Sequence, residues 1–346
     1  LLKATLGEKL LLTAITKLYN LVPDGGIWMN TQRPEWNDAN NALVGNGMSM
    51  VTLYYLRRYL SFLREKWTDT NLDLNEATGE LLTAIHKIFE ENKPLLTKGF
   101  DSKSRFDFVC ALGKAGERYR IKAYGFELGS RSQLASEDLT AFLNLSLEYL
   151  DASIANNLRE DGLYHAYSLL QIGQGEMDVR YLYEMLEGQV AILSSGNLNP
   201  EQSLTLLDAL EKSDLFREDQ YSYLLYPNRD LAGFSEKNNI SSSFAQKSAL
   251  LQKLVSMGPN GIVERDDSGN FHFAGEISNA EELANALKNL DKGSLALEVG
   301  DEMDSILQEF ERIFDRQSFT GRSGTFYAYE GLGSIYWHMV SKLLLA

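Results

Sequence analysis

MDSILQEFERIF, residues 303–314, sets the reading of the fold. Met303, Ile306, Leu307, Phe310, Ile313 and Phe314 keep the i, i+3, i+4 spacing that puts them on one face of an α-helix. Leu332, Ile335, Tyr336, Met339, Val340, Leu343 and Leu344 repeat the rhythm over three turns. Further helical patterns cover 4–20, 38–66, 75–92, 101–120, 136–158, 178–194, 200–213, 240–256 and 279–290, about eleven helices in all. Strand signal is confined to IVERDDSGNFHF, 262–273, where alternating residues flank a DSGN turn as in a β-hairpin. No low-complexity linker divides the chain and no solenoid period recurs. The long connection 214–239, SDLFREDQYSYLLYPNRDLAGFSEKN, is rich in Tyr, Asn, Arg and Asp, and such loops carry function in helical proteins. The expected fold is all-α: an (α/α) toroid, closed or incomplete, with a small β-hairpin near 262–273 and with loops at one rim forming a cleft. The expected organisation is a single catalytic domain over 1–346. An irregular helical bundle or two smaller domains fit the periodicity equally well.

Composition narrows the function classes. The 346 residues are 44% hydrophobic and 11% aromatic, enough for a buried core. A formal charge of −15 argues against nucleic acid and anionic membrane as partners, since both need a basic face. A neutral ligand such as sugar is compatible with it. A single cysteine, Cys110, rules out a disulfide framework within the chain and a thiolate-rich zinc site, and four His leave little for a His-rich metal centre. No metal site is expected. No stretch is long and apolar enough to span a membrane. The first residues, LLKATLGEKLLLTAI, carry Lys3, Glu8 and Lys9 and suit a helix better than a signal peptide. Without an initial Met, the chain is expected to be a processed chain or an excised fragment, soluble and either cytoplasmic or periplasmic.

TQRPEWNDANN, 31–41, breaks the helical pattern with a Pro, a Trp, two acids and three Asn. Pro34 biases Arg33 toward extended backbone, and Asn37 or Asp38 stands where the N-cap of a helix carrying Val44, Met48, Val51 and Tyr55 would belong. In that reading Trp36 is a staple over the first turn. A sugar subsite uses the same mixture: an aromatic face for the C–H surface of the ring, amides and carboxylates for its hydroxyls.

PEWNDANN also resembles the DWND-type motif of the cellobiose and chitobiose phosphorylase family, inverting enzymes with an (α/α)6 catalytic domain. The resemblance implies that Trp36 lines the subsite of the transferred sugar and that Asp38 protonates the glycosidic oxygen. Glu35 stands where the family commonly has Asp and is the reserve proton donor. In the family the motif comes midway through the catalytic domain, whereas one helix precedes it here, so the resemblance implies that the chain is the C-terminal part of a longer protein. Arg33, Asn37 and Asn41 join Trp36 as substrate-binding candidates. The tail, FTGRSGTFYAYEGLGSIYWHMVSKLLLA, 319–346, resembles the end of that catalytic domain, where a Thr-Gly pair in a Gly-rich turn helps to hold phosphate. Matched through YEGLGSIYWH, Glu330-Gly331 takes the Thr-Gly place, with Tyr329 beside it. A carboxylate there would repel phosphate and could activate water.

The expectation is therefore an inverting glycoside hydrolase on a β-linked oligosaccharide or glucan, with Asp38 as general acid and Glu330 as general base roughly 6.5–9.5 Å apart. Alternatively Thr320-Gly321 is the phosphate-binding pair and the enzyme is an inverting phosphorylase. A third reading is a non-catalytic carbohydrate-binding protein whose acids only cap helices. Neither enzymatic reading calls for an organic cofactor, and only the phosphorylase needs inorganic phosphate. Further substrate-binding candidates are Tyr164 and His165 in DGLYHAY, 161–167, and Arg229. Arg131, Tyr226 and Asn228 are loop residues able to bind sugar, and Glu127 or Glu187 replaces Glu330 as base if the match of the tail is displaced.

Overall fold

The computed structural model describes residues 4–30, 43, 45–228, 233–290, 295–315 and 335–346. In chain order the elements begin with α1 (Leu6–Leu18), β1 (Leu21–Val22), β2 (Gly26–Trp28), β3 (Gly47–Ser49), α2 (Met50–Lys66), β4 (Leu72–Asn75) and α3 (Glu76–Asn92). There follow α4 (Leu95–Lys98), α5 (Ser102–Tyr124), β5 (Arg131–Leu134), α6 (Ser136–Ala155), β6 (Tyr167–Gly173), β7 (Glu176–Tyr181), α7 (Leu186–Leu193), α8 (Pro200–Glu211), β8 (Phe216–Arg217) and β9 (Ser222–Tyr223). Next come α9 (Phe234–Lys237), α10 (Ser242–Lys247), α11 (Ala249–Ser256), β10 (Val263–Arg265), β11 (Phe271–Phe273), α12 (Ala280–Leu290), α13 (Ala296–Phe314) and α14 (Trp337–Leu345). The chain divides into two compact units: one holds the described residues up to Asn228 together with α14, the other those from Gly233 to Asp315.

The all-α toroid expected from periodicity is overturned by the sheets. Five strands form one antiparallel sheet in the order β1-β2-β3-β6-β7, and β4–β5, β8–β9 and β10–β11 form three smaller pairs. Two of the expected helices contain strand. The pattern at 38–66 is helical only from Met50, because Ser49 caps α2 by accepting from the Thr52 amide at 3.0 Å and Gly47–Ser49 is paired on both sides. Neither Asn37 nor Asp38 is the cap of that helix. The pattern at 178–194 joins β7 to α7 across an extended segment. The β6–β7 hairpin turns through Gln174 and Gly175, both at positive φ (51° and 81°), between the paired residues Gly173 and Glu176. Such a two-residue turn follows the twist of the flanking strands. The hairpin at 262–273 is present as β10–β11, with Val263 opposite Phe273.

Local chemistry explains most helix starts. Thr5 accepts from the Glu8 amide, Asp101 and Ser104 form a reciprocal capping box, and Asn199 with Gln202 forms another ahead of Pro200 at the first helical position. In the first unit α3, α5 and α6 meet through Phe89, Phe108 and Tyr149, whose rings stack at 4.3–5.8 Å, and α2 packs against α6. Tyr149 keeps its hydroxyl satisfied by donating to the Phe89 carbonyl at 2.7 Å.

Two buried charged groups fasten the sheet and α1 to these helices. Arg105 of α5, 8% exposed, donates Nε to the Pro23 carbonyl, Nη1 to the Met177 carbonyl, and Nη2 to the Phe100 carbonyl and Asp24 Oδ2, all at 3.0–3.1 Å. Asp24, the turn residue between β1 and β2, is held at φ 65°, a conformation that surrounding contacts must impose on a non-glycine residue. Glu8 of α1, 1% exposed, accepts from the Asn75 amide, Asn75 Nδ2 and Thr78 Oγ1 at 2.9 Å each, and its other oxygen meets Arg131 at 3.2 Å. Arg131 also pairs with Asp73 at 2.6 Å, so this residue of the sugar-binding expectation is engaged in holding β4 and β5.

The second unit is built on an apolar core that includes Leu250, Leu254, Phe273, Leu283, Leu287, Ile306, Phe310 and Phe314. Asn238 links it to β11, accepting from the Phe273 amide and donating to its carbonyl. Glu302 of α13 receives the Ala249 amide at 2.9 Å at the start of α11. Among the described residues of the chain, no helix is long and apolar enough to cross a membrane.

Candidate functional site

Asp38, Glu35, Trp36, Asn37, Arg33 and Asn41 lie outside the described residues, as do Glu330, Tyr329, Thr320, Gly321 and Arg229. What the structure gives is the frame on which the first group is carried. Residues 31–42 fall between β2 and β3, and the strands close that connection: the Met29 amide donates to the Gly47 carbonyl at 2.9 Å, and the Gly45 amide to the Met29 carbonyl at 2.6 Å. The indole of Trp28 adds a bond to the Gly45 carbonyl at 3.0 Å.

Tyr164 and His165 are described, and they sit where β6 enters the sheet beside the start of α2. The Met50 amide donates to the Ala166 carbonyl at 2.9 Å, and Ser49 pairs with Tyr167. The Leu170 amide meets the Asn46 carbonyl at the other end of β3. The connection carrying the PEWNDANN motif and the His165 segment are therefore attached at opposite ends of this short strand.

Around His165 the sequence builds a buried polar cluster. Gln189 of α7 is fully buried and acts as a clamp: Oε1 accepts the Tyr164 amide at 2.9 Å, and Nε2 donates to the carbonyls of Tyr164 at 2.8 Å and Met185 at 3.0 Å. The amide side chain thus presents to Tyr164 the donor and acceptor that a neighbouring strand would. Gly188 makes this approach feasible, since a Cβ there would stand 2.9 Å from Ala166 Cβ. Tyr164, 7% exposed, meets the Tyr54 ring edge-on at 6.4 Å, and Tyr54 donates its hydroxyl to the His165 carbonyl at 2.9 Å.

The His165 ring stacks on Tyr181 at 4.1 Å and 12°, and its Nδ1 is buried without a hydrogen-bond partner among the described residues. Burial, reinforced by the nearby Arg159 guanidinium, lowers its pKa to about 4 against the opposing pull of the Leu182 backbone and Asp161. The imidazole is neutral at physiological pH and is suited to exchanging hydrogen bonds with hydroxyls rather than to holding an anion. Arg159 is occupied by Asp161 at 2.6 Å and Glu184 at 3.1 Å.

The neighbouring acid is Glu187. It lies in the first turn of α7, 5% exposed, and accepts from the Tyr167 hydroxyl at 2.8 Å. A helix N-terminus favours its charged form, and the charge helps burial to raise the pKa of the Tyr55 phenol on α2. Of the two alternative acids read from the sequence, Glu187 has a buried, oriented carboxylate, whereas Glu127 is exposed beyond the end of α5. The last helix, α14, packs against α7. The partners of this cluster, Tyr167 and Gln189, escaped sequence reasoning. The run Glu187-Gly188-Gln189 beside an aromatic segment was the available signal. Among the described residues no group of three or more His, Cys, Asp or Glu is placed to hold a metal ion.

No curated protein matches the chain. Residues 231–317, about a quarter of the chain, match the family model described as GH149 phosphorylase insertion domain 2. The matched stretch falls within the second compact unit, from Arg229 to Leu332. In that unit the chain is similar to a module of glycoside phosphorylases, a class of carbohydrate-active enzymes.

Proposed function

We propose that the chain acts in glycoside phosphorolysis, transferring a glycosyl group from an oligosaccharide to inorganic phosphate with inversion. The observation that carries this reading is the likeness of residues 231–317 to an insertion domain of a GH149 phosphorylase. The resemblance of PEWNDANN to a phosphorylase motif supports it from a separate part of the chain. It replaces hydrolysis as the leading reading, because an assignment of Glu330 as a base that activates water has no comparable support.

In the proposed reaction a phosphate oxygen bonds to the anomeric carbon while the glycosidic C–O bond breaks. Asp38 gives its proton to the departing oxygen, with Glu35 as its alternate. Trp36, with Arg33, Asn37 and Asn41, lines the subsite of the transferred sugar, and Thr320-Gly321 holds the phosphate. Within the first unit by itself, the neutral His165 and the Glu187–Tyr167 pair are hydrogen-bonding groups suited to a sugar hydroxyl. Phosphate is a co-substrate, and the reaction calls for no metal or organic cofactor.

The test is to incubate the purified protein with β-linked oligosaccharides, with and without phosphate, and follow sugar 1-phosphate by 31P NMR. Release only with phosphate is the expected result, and Asp38→Asn should slow it by roughly 10²–10⁴-fold, the worth of a general acid. Reducing sugar formed in phosphate-free buffer would establish hydrolysis instead. Oligosaccharide binding without turnover in either buffer would point to a non-catalytic carbohydrate-binding protein.

A further inference from the structure

A cleft opens at the far end of α7 from Glu187, the two joined by Tyr55, which meets Ser194 of the cleft wall and feels the Glu187 charge. The cleft has a volume of about 830 Å³ and is bounded by α2, by the turn after α7 and by the end of α14. That volume suits a small organic ligand. Because Leu193–Gly196 and Leu345–Ala346 line it together, it stands at the C-terminal ends of α7 and α14, whereas Glu187 is in the first turn of α7.

Its wall is rich in basic side chains, in a chain of formal charge −15. Arg57, Arg58, Ser61 and Arg64 all face the cleft, with Glu65 as the opposing charge. Arg57, Ser61 and Arg64 follow i, i+4, i+7 spacing and so share one face of α2. Arg57 is fixed in place: its Nε pairs with Asp151 at 2.7 Å and its Nη1 donates to the Ser195 carbonyl at 3.1 Å. Arg64 is tied only to Asn144 at 3.3 Å, and Arg58 is exposed and forms no ion pair among the described residues. The Ser61 hydroxyl is buried without a hydrogen-bond partner there, although a helical serine commonly bonds the carbonyl one turn back. Gly196, at φ 70°, keeps side-chain bulk out of the space beside Arg57.

Two available guanidinium groups, a third held rigidly beside them and a buried hydroxyl lacking a partner form a donor set suited to phosphate oxygens. We propose that this cleft is a second, non-catalytic site for a phosphate monoester of sugar-phosphate size. The choice of a sugar phosphate rests on the phosphorylase reading, in which such a molecule is the product. The anionic character of the ligand does not.

The experiment is calorimetric titration of the whole protein with glucose 1-phosphate, inorganic phosphate and a neutral oligosaccharide. In the wild type glucose 1-phosphate should bind, and more weakly as salt rises. Arg58→Ala combined with Arg64→Ala should weaken this binding at least tenfold, and Ser61→Ala by several-fold. Thr320→Ala should leave the arginine-dependent binding intact. An isotherm of the double arginine variant identical to the wild type would overturn the proposal, as would loss of neutral oligosaccharide binding in place of anion binding. Unchanged melting of the double variant is the control for folding. Arginine-dependent binding in a protein that shows no phosphate-dependent turnover would remove the phosphorylase reading and leave the anion site standing.

Discussion

The two compact units solve the same problem with different materials. In the first, charged side chains are taken into the interior: Arg105 gathers three carbonyls and Asp24, and Glu8 gathers an amide, a carboxamide, a hydroxyl and Arg131. In the second, Leu283, Leu287, Phe310 and Phe314 pack an apolar centre; Glu302 and Lys253 make their cap and ion pair toward its margin, and the one buried acid among its described residues, Glu309, pairs with the exposed Arg312 of the same helix. Burying charge is a poor way to gain stability, since desolvation offsets most of the attraction. Its return is directional. Arg105 holds the β1–β2 turn, β7 and the segment before α5 in one arrangement, and the Tyr181 ring at the end of β7 supports His165. The unit that carries the His165–Glu187 cluster is the one with the directional fastenings, and the unit that resembles an insertion module has an ordinary core.

That contrast can be broken most sharply at Arg105. Arg105→Ala leaves Asp24 and three carbonyls without their common donor and should destabilise the first unit by about 3–5 kcal/mol, the usual consequence of removing one member of a buried pair. Denaturant unfolding followed by hydrogen exchange should show protection lost in α5, β1 and β7 and retained in α12 and α13. Uniform loss across both units would mean that they unfold as one. Leu283→Ala makes the reverse case: a cavity in the apolar core should cost the second unit about 2–5 kcal/mol, with α5 and α6 left protected.

The smallest effect is a difference in pH response. The pKa of His165 is about 4 when folded and about 6.5 when unfolded, so the unfolded chain binds the extra proton between these values. Stability contributed by the neutral ring is complete above pH 6.5 and lost as pH falls toward 4. Asp266, in the β10–β11 turn, is held at a pKa of about 2 by Asn270 and His272, so its contribution is lost only as pH falls from about 4 to 2. His165→Gln should flatten the melting temperature between pH 6.5 and 4, and Asp266→Asn should flatten it only between about pH 4 and 2. Equal slopes in wild type and His165→Gln would show that this imidazole is no more shielded than a surface histidine.

Sequence periodicity exposed the long helices because their faces repeat over several turns. The reading 75–92 is observed as Glu76–Asn92, 200–213 as Pro200–Glu211, and 279–290 as Ala280–Leu290. It missed the sheet for two reasons. Leu21–Val22, Gly26–Trp28 and Gly47–Ser49 are too short to show any period and owe their conformation to partners distant in sequence. The β6–β7 hairpin was legible, since alternation in MDVRY and the Gln174-Gly175 turn are hairpin signals. They were overlooked because Val179 and Tyr181 also fit a helix running on into α7. In the site, His165 and Glu187 could be picked out as polar residues among aromatics and glycines. Their burial and their pairing with Tyr181 and Tyr167 arise only when β6, β7 and α7 come together.

Glu187, Gly188 and Gln189 are consecutive, and successive helical residues point about 100° apart. They consequently address three neighbours in the same short segment: Tyr167 through a carboxylate, Ala166 through the absence of a side chain, and Tyr164 through an amide. A one-residue shift in the register of α7 would misplace all three at once. In other sequences the presence of this tripeptide six to eight residues after a strand like β7 is a signature by which the same local architecture can be sought.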